Sequence, residues 1–219
     1  ISIVLIRTSG VGRSKALCLA VEKCSYEWVA NLDVDDYWLP YKLEKQDEII
    51  SNEKNVQVIV TQCYLLHENE VDNFIVDKTP KELSYKRLDK KDFYAKNPVN
   101  HSSVIFRKSL YKSVGGYNCE LKKQIDYDLW AKFILNSVVF YQVNSSLTVK
   151  YLHSKQSFEA KNVFSYRVNS FFMKISLLKK VDAPWYFYFK LLLLSIIGFT
   201  PRKIKKGIRH LNEQLRSKL

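Results

Sequence analysis

What the 219-residue sequence has little of narrows it before any motif is read. Glycine occurs six times and proline five, too few for a collagenous, low-complexity or linker-rich chain. The four cysteines, Cys18, Cys24, Cys63 and Cys119, form no Cys-x-x-Cys pair and keep no regular spacing. Neither a zinc site nor a disulfide framework is suggested, and a reducing compartment is expected. No run reaches the roughly 20 apolar residues that a membrane-spanning helix needs; Trp185 to Phe199 is fifteen residues with Lys190 inside it. The opening ISIVLIRTSG has no basic segment ahead of its apolar run and no small-residue cleavage site, which excludes a signal peptide reading. Acid is scarce in one region: residues 150–219 carry 15 Lys and Arg against three acids, whereas residues 1–149 carry 20 against 19. Nearly all of the +13 net charge therefore sits in the C-terminal third.

What is present starts with WVANLDVDDYWLPYKLEKQ, residues 28–46. An apolar run, Trp28, Val29, Ala30 and Leu32, precedes Asp33, Asp35 and Asp36, which reads as a buried strand ending in carboxylates. Pro40 closes a turn, and a helix with Leu43, Ile49 and Ile50 on its apolar face follows, so the acids are expected at a strand-to-helix junction. Carboxylates this close raise one another's pKa unless a cation holds them. Oxygen ligands without His or Cys point to Mg2+ or Mn2+, whose open positions suit phosphate oxygens. The competing reading is that these acids only cap the next helix.

Upstream, Ile1 to Ile6 reads as a buried strand, Gly10 as part of a turn, and Ser14 as the cap of a helix with Leu17, Ala20, Val21 and Cys24 on one face. With the Trp28 strand this predicts a right-handed β-α-β unit. Downstream, Val56 to Leu66 and a run around Phe74–Val76 read as strands joined by a solvated hairpin turn, and residues 78–96 as a loop with one short helix. Val99 to Arg107 reads as a strand, Ser109 as a helix cap, and Gly115-Gly116-Tyr117 as a break that needs positive φ. In KKQIDYDLWAKFI, Asp126 and Asp128 suit a helix N-terminus, and Leu129, Trp130, Phe133 and Ile134 give it a buried face. Val138 to Tyr151 reads as a closing strand pair.

Three of these blocks, in this order, carry a resemblance. LDVDDYWLPYKLEKQ, HSSVIFRKSLYKSVGGY and IDYDLW resemble the signature segments of family 2 glycosyltransferases, an inverting group with the GT-A fold. The resemblance implies an α/β mixed sheet flanked by helices over residues 1–153. It implies that Asp35 and Asp36 contact the metal, with Asp35 also at the donor diphosphate and Asp33 nearer the donor ribose or sugar. RTSGVGRSKALCLAVEKC is similar to the family segment whose basic residue reaches the donor nucleotide, which points to Arg13, then Lys15. Asp126 matches the general base; Ile125 replaces the Glu usual before it. His101, Ser102, Asp128, Trp130 and His153 become possible acceptor or phosphate contacts, although a lone His on a strand, such as His101, also reads as a hydrogen-bonded structural residue.

The family pattern also includes a preceding nucleobase-holding strand and an acidic nucleotide motif. Neither stands ahead of Arg7, so an N-terminally truncated enzyme, or a non-catalytic scaffold derived from one, is expected. The implied partners are a nucleotide-diphosphate sugar, in particular a UDP-sugar, and a glycan or lipid-linked acceptor in bacterial surface polysaccharide synthesis. A nucleic-acid-binding role, raised by the pI near 9.5, is set aside because the charge is confined to the tail and no nucleic-acid motif is visible. Residues 154–219 read as a helical basic region: an amphipathic helix over 158–180, the aromatic and leucine-rich run 185–199, then a basic stretch. This pattern suits the anionic cytoplasmic face of a membrane, the alternative being a helix packed on the domain.

Overall fold

The computed structural model describes residues 3–73, 82–152 and 163–199. The main elements, in chain order, are α1 (Arg13–Lys23), β1 (Trp28–Ala30), β2 (Asp36–Trp38), α2 (Lys42–Asn52), β3 (Val58–His67), β4 (Tyr85–Leu88), α3 (Asp92–Ala95), β5 (Ile105–Arg107), α4 (Lys108–Ser113), α5 (Ile125–Leu135), β6 (Phe140–Leu152), α6 (Val163–Lys180) and α7 (Trp185–Phe199). Short 3-10 turns cover Glu68–Asn73 and His101–Ser103.

The sheet runs β1-β5-β3-β6-β2, with β4 also on β6. β3 and β6 are parallel; every other pairing is antiparallel. β6 is long enough to take two partners on one edge, β4 beside Phe140–Val143 and β2 beside Thr148–Lys150. Strand alternation sorts side chains into two cores. Val58, Val60, Phe106 and Phe140 face the larger one with α1, α5, α6 and α7, while Ile59, Ile105, Tyr141 and Val143 face a smaller one with Ile49 of α2. The sheet is thus covered on both faces, as an α/β layer architecture requires.

Several expectations are corrected. Residues 3–6 form no strand and are exposed, from 90% at Ile3 to 38% at Ile6, so no parallel β-α-β unit opens the described chain. β1 instead pairs antiparallel with β5. Asp33 and Asp35 lie in a turn between β1 and β2 and Asp36 opens β2, because Asp36–Trp38 finds a partner in β6 that local sequence cannot reveal. The α1 cap is Gly12, with φ 82°, and Ser14 sits inside the helix donating its hydroxyl to the Leu121 carbonyl. The buried face of α1 is Ser14, Cys18 and Val21, with Ala20 exposed. In α2 the buried positions are Lys42, Lys45, Gln46 and Ile49, with Leu43 turned out.

Tyr85–Leu88, inside the expected loop, is an edge strand with its Lys and Arg outward, a common guard on an exposed edge. Tyr85 and Arg87 both donate to Glu53, at 3.0 and 3.2 Å, which anchors it. The expected hairpin turn is a 3-10 helix, the expected Val99–Arg107 strand is a 3-10 turn followed by three strand residues, and the expected closing pair is the single strand β6. Ser109 lies within α4, whose cap is Arg107. Cys18 and Cys119 are disulfide-bonded, Cα atoms 6.5 Å apart, against the expectation of no pairing; their 101-residue separation hid the contact. The Phe74–Val76 run and residues 158–162 lie outside the described residues. Gly115 and Gly116 do take positive φ, 79° and 60°, and the buried face of α5 is as expected.

Candidate active site

Ser102 is the hub under the acidic turn. Its hydroxyl accepts from the Asp33 backbone N–H at 2.9 Å and donates to Asp36 Oδ2 at 2.6 Å, while its carbonyl accepts from Trp38 Nε1 at 2.6 Å. Asn100 holds the Ser102 N–H through its side-chain oxygen at 2.8 Å. Asp36 is buried. Burial pushes its carboxyl pKa up; the Ser102 hydrogen bond opposes this, and the charges of Asp33 and Asp35 add to the rise. The His101–Ser103 turn that carries Ser102 is further fixed from α2, where Gln46 Nε2 donates to the Ser103 carbonyl at 3.0 Å and its Oε1 accepts from Lys42 Nζ at 2.9 Å.

Asp33 faces the other way, into a chain of polar groups. His101 Nδ1 lies 3.1 Å from Asp33 Oδ1, and His101 Nε2 lies 2.9 Å from the Tyr117 hydroxyl and 3.0 Å from Asn31 Nδ2. Asn31 Nδ2 also donates to the Tyr117 hydroxyl at 2.8 Å. A proton on Nδ1 satisfies the ring: it donates to Asp33 and accepts at Nε2. Arg13 Nη2 reaches both Asp33 oxygens, at 2.9 and 2.8 Å. Burial alone would raise the Asp33 pKa; the His101 hydrogen bond, with the charge and hydrogen bond of Arg13, holds it well below the usual carboxylate range. Asp33 therefore adds stability above the ordinary carboxylate pKa and loses it only as pH falls through its depressed value.

Asp126, in the first turn of α5, accepts from Asn97 Nδ2 at 2.8 Å. It belongs to the same electrostatic neighbourhood as Asp33. Burial works against the Arg13 charge, yet Asp33 and then Asp126 hold its pKa above the ordinary value. Burial raises the Tyr117 pKa, and Asp126 and Asp33 both push it further. α1, which carries Arg13, is tied to the segment ahead of α5 by the Cys18–Cys119 disulfide and by the hydrogen bond from the Ser14 hydroxyl to the Leu121 carbonyl.

Other expected site residues fall elsewhere. Lys15 stands 3.6 Å from exposed Glu120. Asp128 is 3.0 Å from Lys132 on the α6 side of the helix, beside Met173 and Leu177. Trp130 is fully buried, packed edge-on against Phe140 and 6.4 Å behind His101. His101 is itself a bonded, buried residue, and His153 lies outside the described residues. Asn31, Asn97 and Tyr117 were not singled out by sequence. Gln124 was not either: it is buried at φ 55° just ahead of Asp126, with its Nε2 lacking a hydrogen-bond partner.

The family model described as "Glycosyltransferase like family 2" matches residues 7–182. The chain belongs to this family. It is 35% identical over 134 residues to the O-antigen biosynthesis glycosyltransferase WbnJ of Escherichia coli, covering 60% of this chain and 49% of that protein. It is 27% identical over 126 residues to the E. coli UDP-Gal:alpha-D-GlcNAc-diphosphoundecaprenol beta-1,3-galactosyltransferase, covering 58% and 44%. The chain thus spans less than half the length of either relative. Its fold is similar to that of S. aureus TarS 1-349, with TM-score 0.50 and 17% identity over 80% of this chain and 51% of that one. The mixed sheet with flanking helices is the glycosyltransferase fold expected from the acidic and IDYDLW blocks.

The acids of this family 2 chain can be tested against a metal. Among the described residues no group of three or more His, Cys, Asp and Glu side chains is placed to hold one. Asp33 is engaged by Arg13 and His101, and one oxygen of Asp36 by Ser102. The two carboxylates Asp35 and Asp36, the second with a pKa raised first by burial and then by the neighbouring acids, fit the partial ligand set that Mg2+ takes when substrate phosphates supply the rest.

Proposed function

We propose that this chain carries the metal and acceptor side of an inverting glycosyltransferase. The reaction moves a sugar from a nucleotide-diphosphate sugar, a UDP-sugar in particular, to a glycan or lipid-linked acceptor in bacterial surface polysaccharide synthesis. The observation that carries the reading is the convergence of Asp33 and Asp126 on Arg13 and Tyr117. Arg13 holds Asp33 directly, at 2.9 and 2.8 Å, and Asp126, 93 residues further along the sequence, lies within reach of its charge.

Asp126 then takes the proton of the acceptor hydroxyl as that oxygen bonds to the anomeric carbon and the bond from that carbon to the diphosphate breaks. One displacement inverts the configuration, and the nucleoside diphosphate leaves. Asn97, bonded to one Asp126 oxygen, orients the carboxylate so that the other meets the acceptor. Asp35 and Asp36 would hold Mg2+ or Mn2+, which when bound offsets the charge of the leaving diphosphate. His101, fixed between Asp33 and Tyr117, sets the floor on which the donor rests.

The whole protein, given candidate UDP-sugars and a polyprenyl diphosphate-linked acceptor, is expected to form product of inverted anomeric configuration, read by NMR of the anomeric proton. Asp126→Asn is expected to lower kcat by about 100- to 10,000-fold. Asp35→Ala is expected to abolish the response to added Mg2+ or Mn2+. Retained configuration, or transfer that survives both changes, overturns the mechanism.

A further inference from the structure

α7 is apolar on two opposite faces. Its inner face, with Phe187 and Leu191 buried, packs against α3 and α6, and Tyr94 meets Phe187 edge-on at 4.9 Å. Its outer face carries Trp185, Phe189, Leu192, Leu193, Ile196 and Ile197, each between 44% and 78% exposed. The spacing i, i+4, i+7, i+8, i+11, i+12 makes this one continuous stripe. Lys190 is the helix's one charge. A helix apolar on all sides is ordinarily covered on all sides, and an exposed patch of this kind marks an interaction surface.

Length and charge identify what covers it. Fifteen residues extend about 22 Å, short of the roughly 30 Å hydrocarbon core, and no described helix is long and apolar enough to cross a membrane. The surroundings are basic: Lys179 and Lys180 are exposed at the end of α6, and residues 200–219 contain seven Lys and Arg against one Glu. A second copy would bring like charges together. An anionic lipid surface receives both the apolar stripe and the basic flank. We propose that the outer face of α7 seats the protein in the headgroup–acyl boundary of an anionic bilayer, lying along it.

The test needs neither donor nor acceptor, so its failure and that of the transfer reaction are distinguishable. The full chain is expected to sediment with vesicles containing phosphatidylglycerol, far less with phosphatidylcholine alone, and less as salt rises. Leu192→Glu with Ile196→Glu is expected to weaken binding about tenfold or more without changing Tm, since both side chains are exposed. In the unaltered protein, lipids brominated in the acyl chain are expected to quench a tryptophan signal that Trp185→Tyr removes. Binding unchanged by the Glu pair, or no acyl-chain quenching, overturns the proposal. So does a concentration-dependent dimer that the Glu pair abolishes in a protein that binds no vesicles, which would make the stripe a contact between copies.

Discussion

Lys42 shows how one residue can be part of a recognisable segment without touching chemistry. It is fully buried, its Nζ donating to Gln46 and lying 4.2 Å from the centre of the Trp38 ring. Burial lowers its pKa to about 7, with only the Cys63 charge working the other way. Between about pH 7 and 10.5 the unfolded chain therefore holds a proton at this position that the folded chain has released, so stability rises with pH across that window. The full effect is on the order of 5 kcal/mol. Lys42→Met removes it. The difference in Tm between variant and unaltered protein, followed by differential scanning fluorimetry, is expected to shrink as pH goes from 7 to 10; a constant difference would place the lysine in an environment open to water.

At the level of elements, α2 latches the His101–Ser103 turn, which underlies the acids, to the sheet. Gln46 spans Lys42 on its own helix, the Ser103 carbonyl and, at 3.4 Å, the Ile59 carbonyl of β3. Gln46→Ala leaves the buried Ser103 carbonyl and the buried Lys42 amino group without this partner, and is expected to cost about 2–4 kcal/mol in urea unfolding. A loss under about 1 kcal/mol would mean that the turn is held by the bonds of Ser102 alone. The same latch explains what sequence could and could not reveal. α5 and α7 were legible because their apolar periodicity is local, and the acidic stretch at Asp33, Asp35 and Asp36 because acids at the end of an apolar run stand out, whereas Asp126 was pointed to by the family resemblance of IDYDLW alone. β2 and β4 were not, since each is a strand only through pairing with β6, and a segment reading Tyr-Lys-Arg-Leu resembles a loop. Ser102, Asn31 and Tyr117 owe their roles to partners 16 to 86 residues away, a relation that no window of sequence contains.

On the scale of the molecule, the charge boundary near residue 150 invites a division into a catalytic domain and a separate helical region, but packing crosses that boundary. Leu177 and Leu178 of α6 and Phe187 and Leu191 of α7 belong to the same buried cluster as Val58, Phe106, Trp130 and Phe140. Composition marks where charge sits, and burial marks what folds together. One shared core implies one cooperative transition for the described elements. Leu178 is fully buried, so Leu178→Ala opens a cavity there and is expected to cost about 2–5 kcal/mol. That loss should appear as a shift of the entire unfolding curve, with far-UV circular dichroism and tryptophan fluorescence moving together. If α6 and α7 formed a unit of their own, the substitution would instead shift an early helical transition and leave the fluorescence of Trp130, deep in the core beneath His101, at its original midpoint.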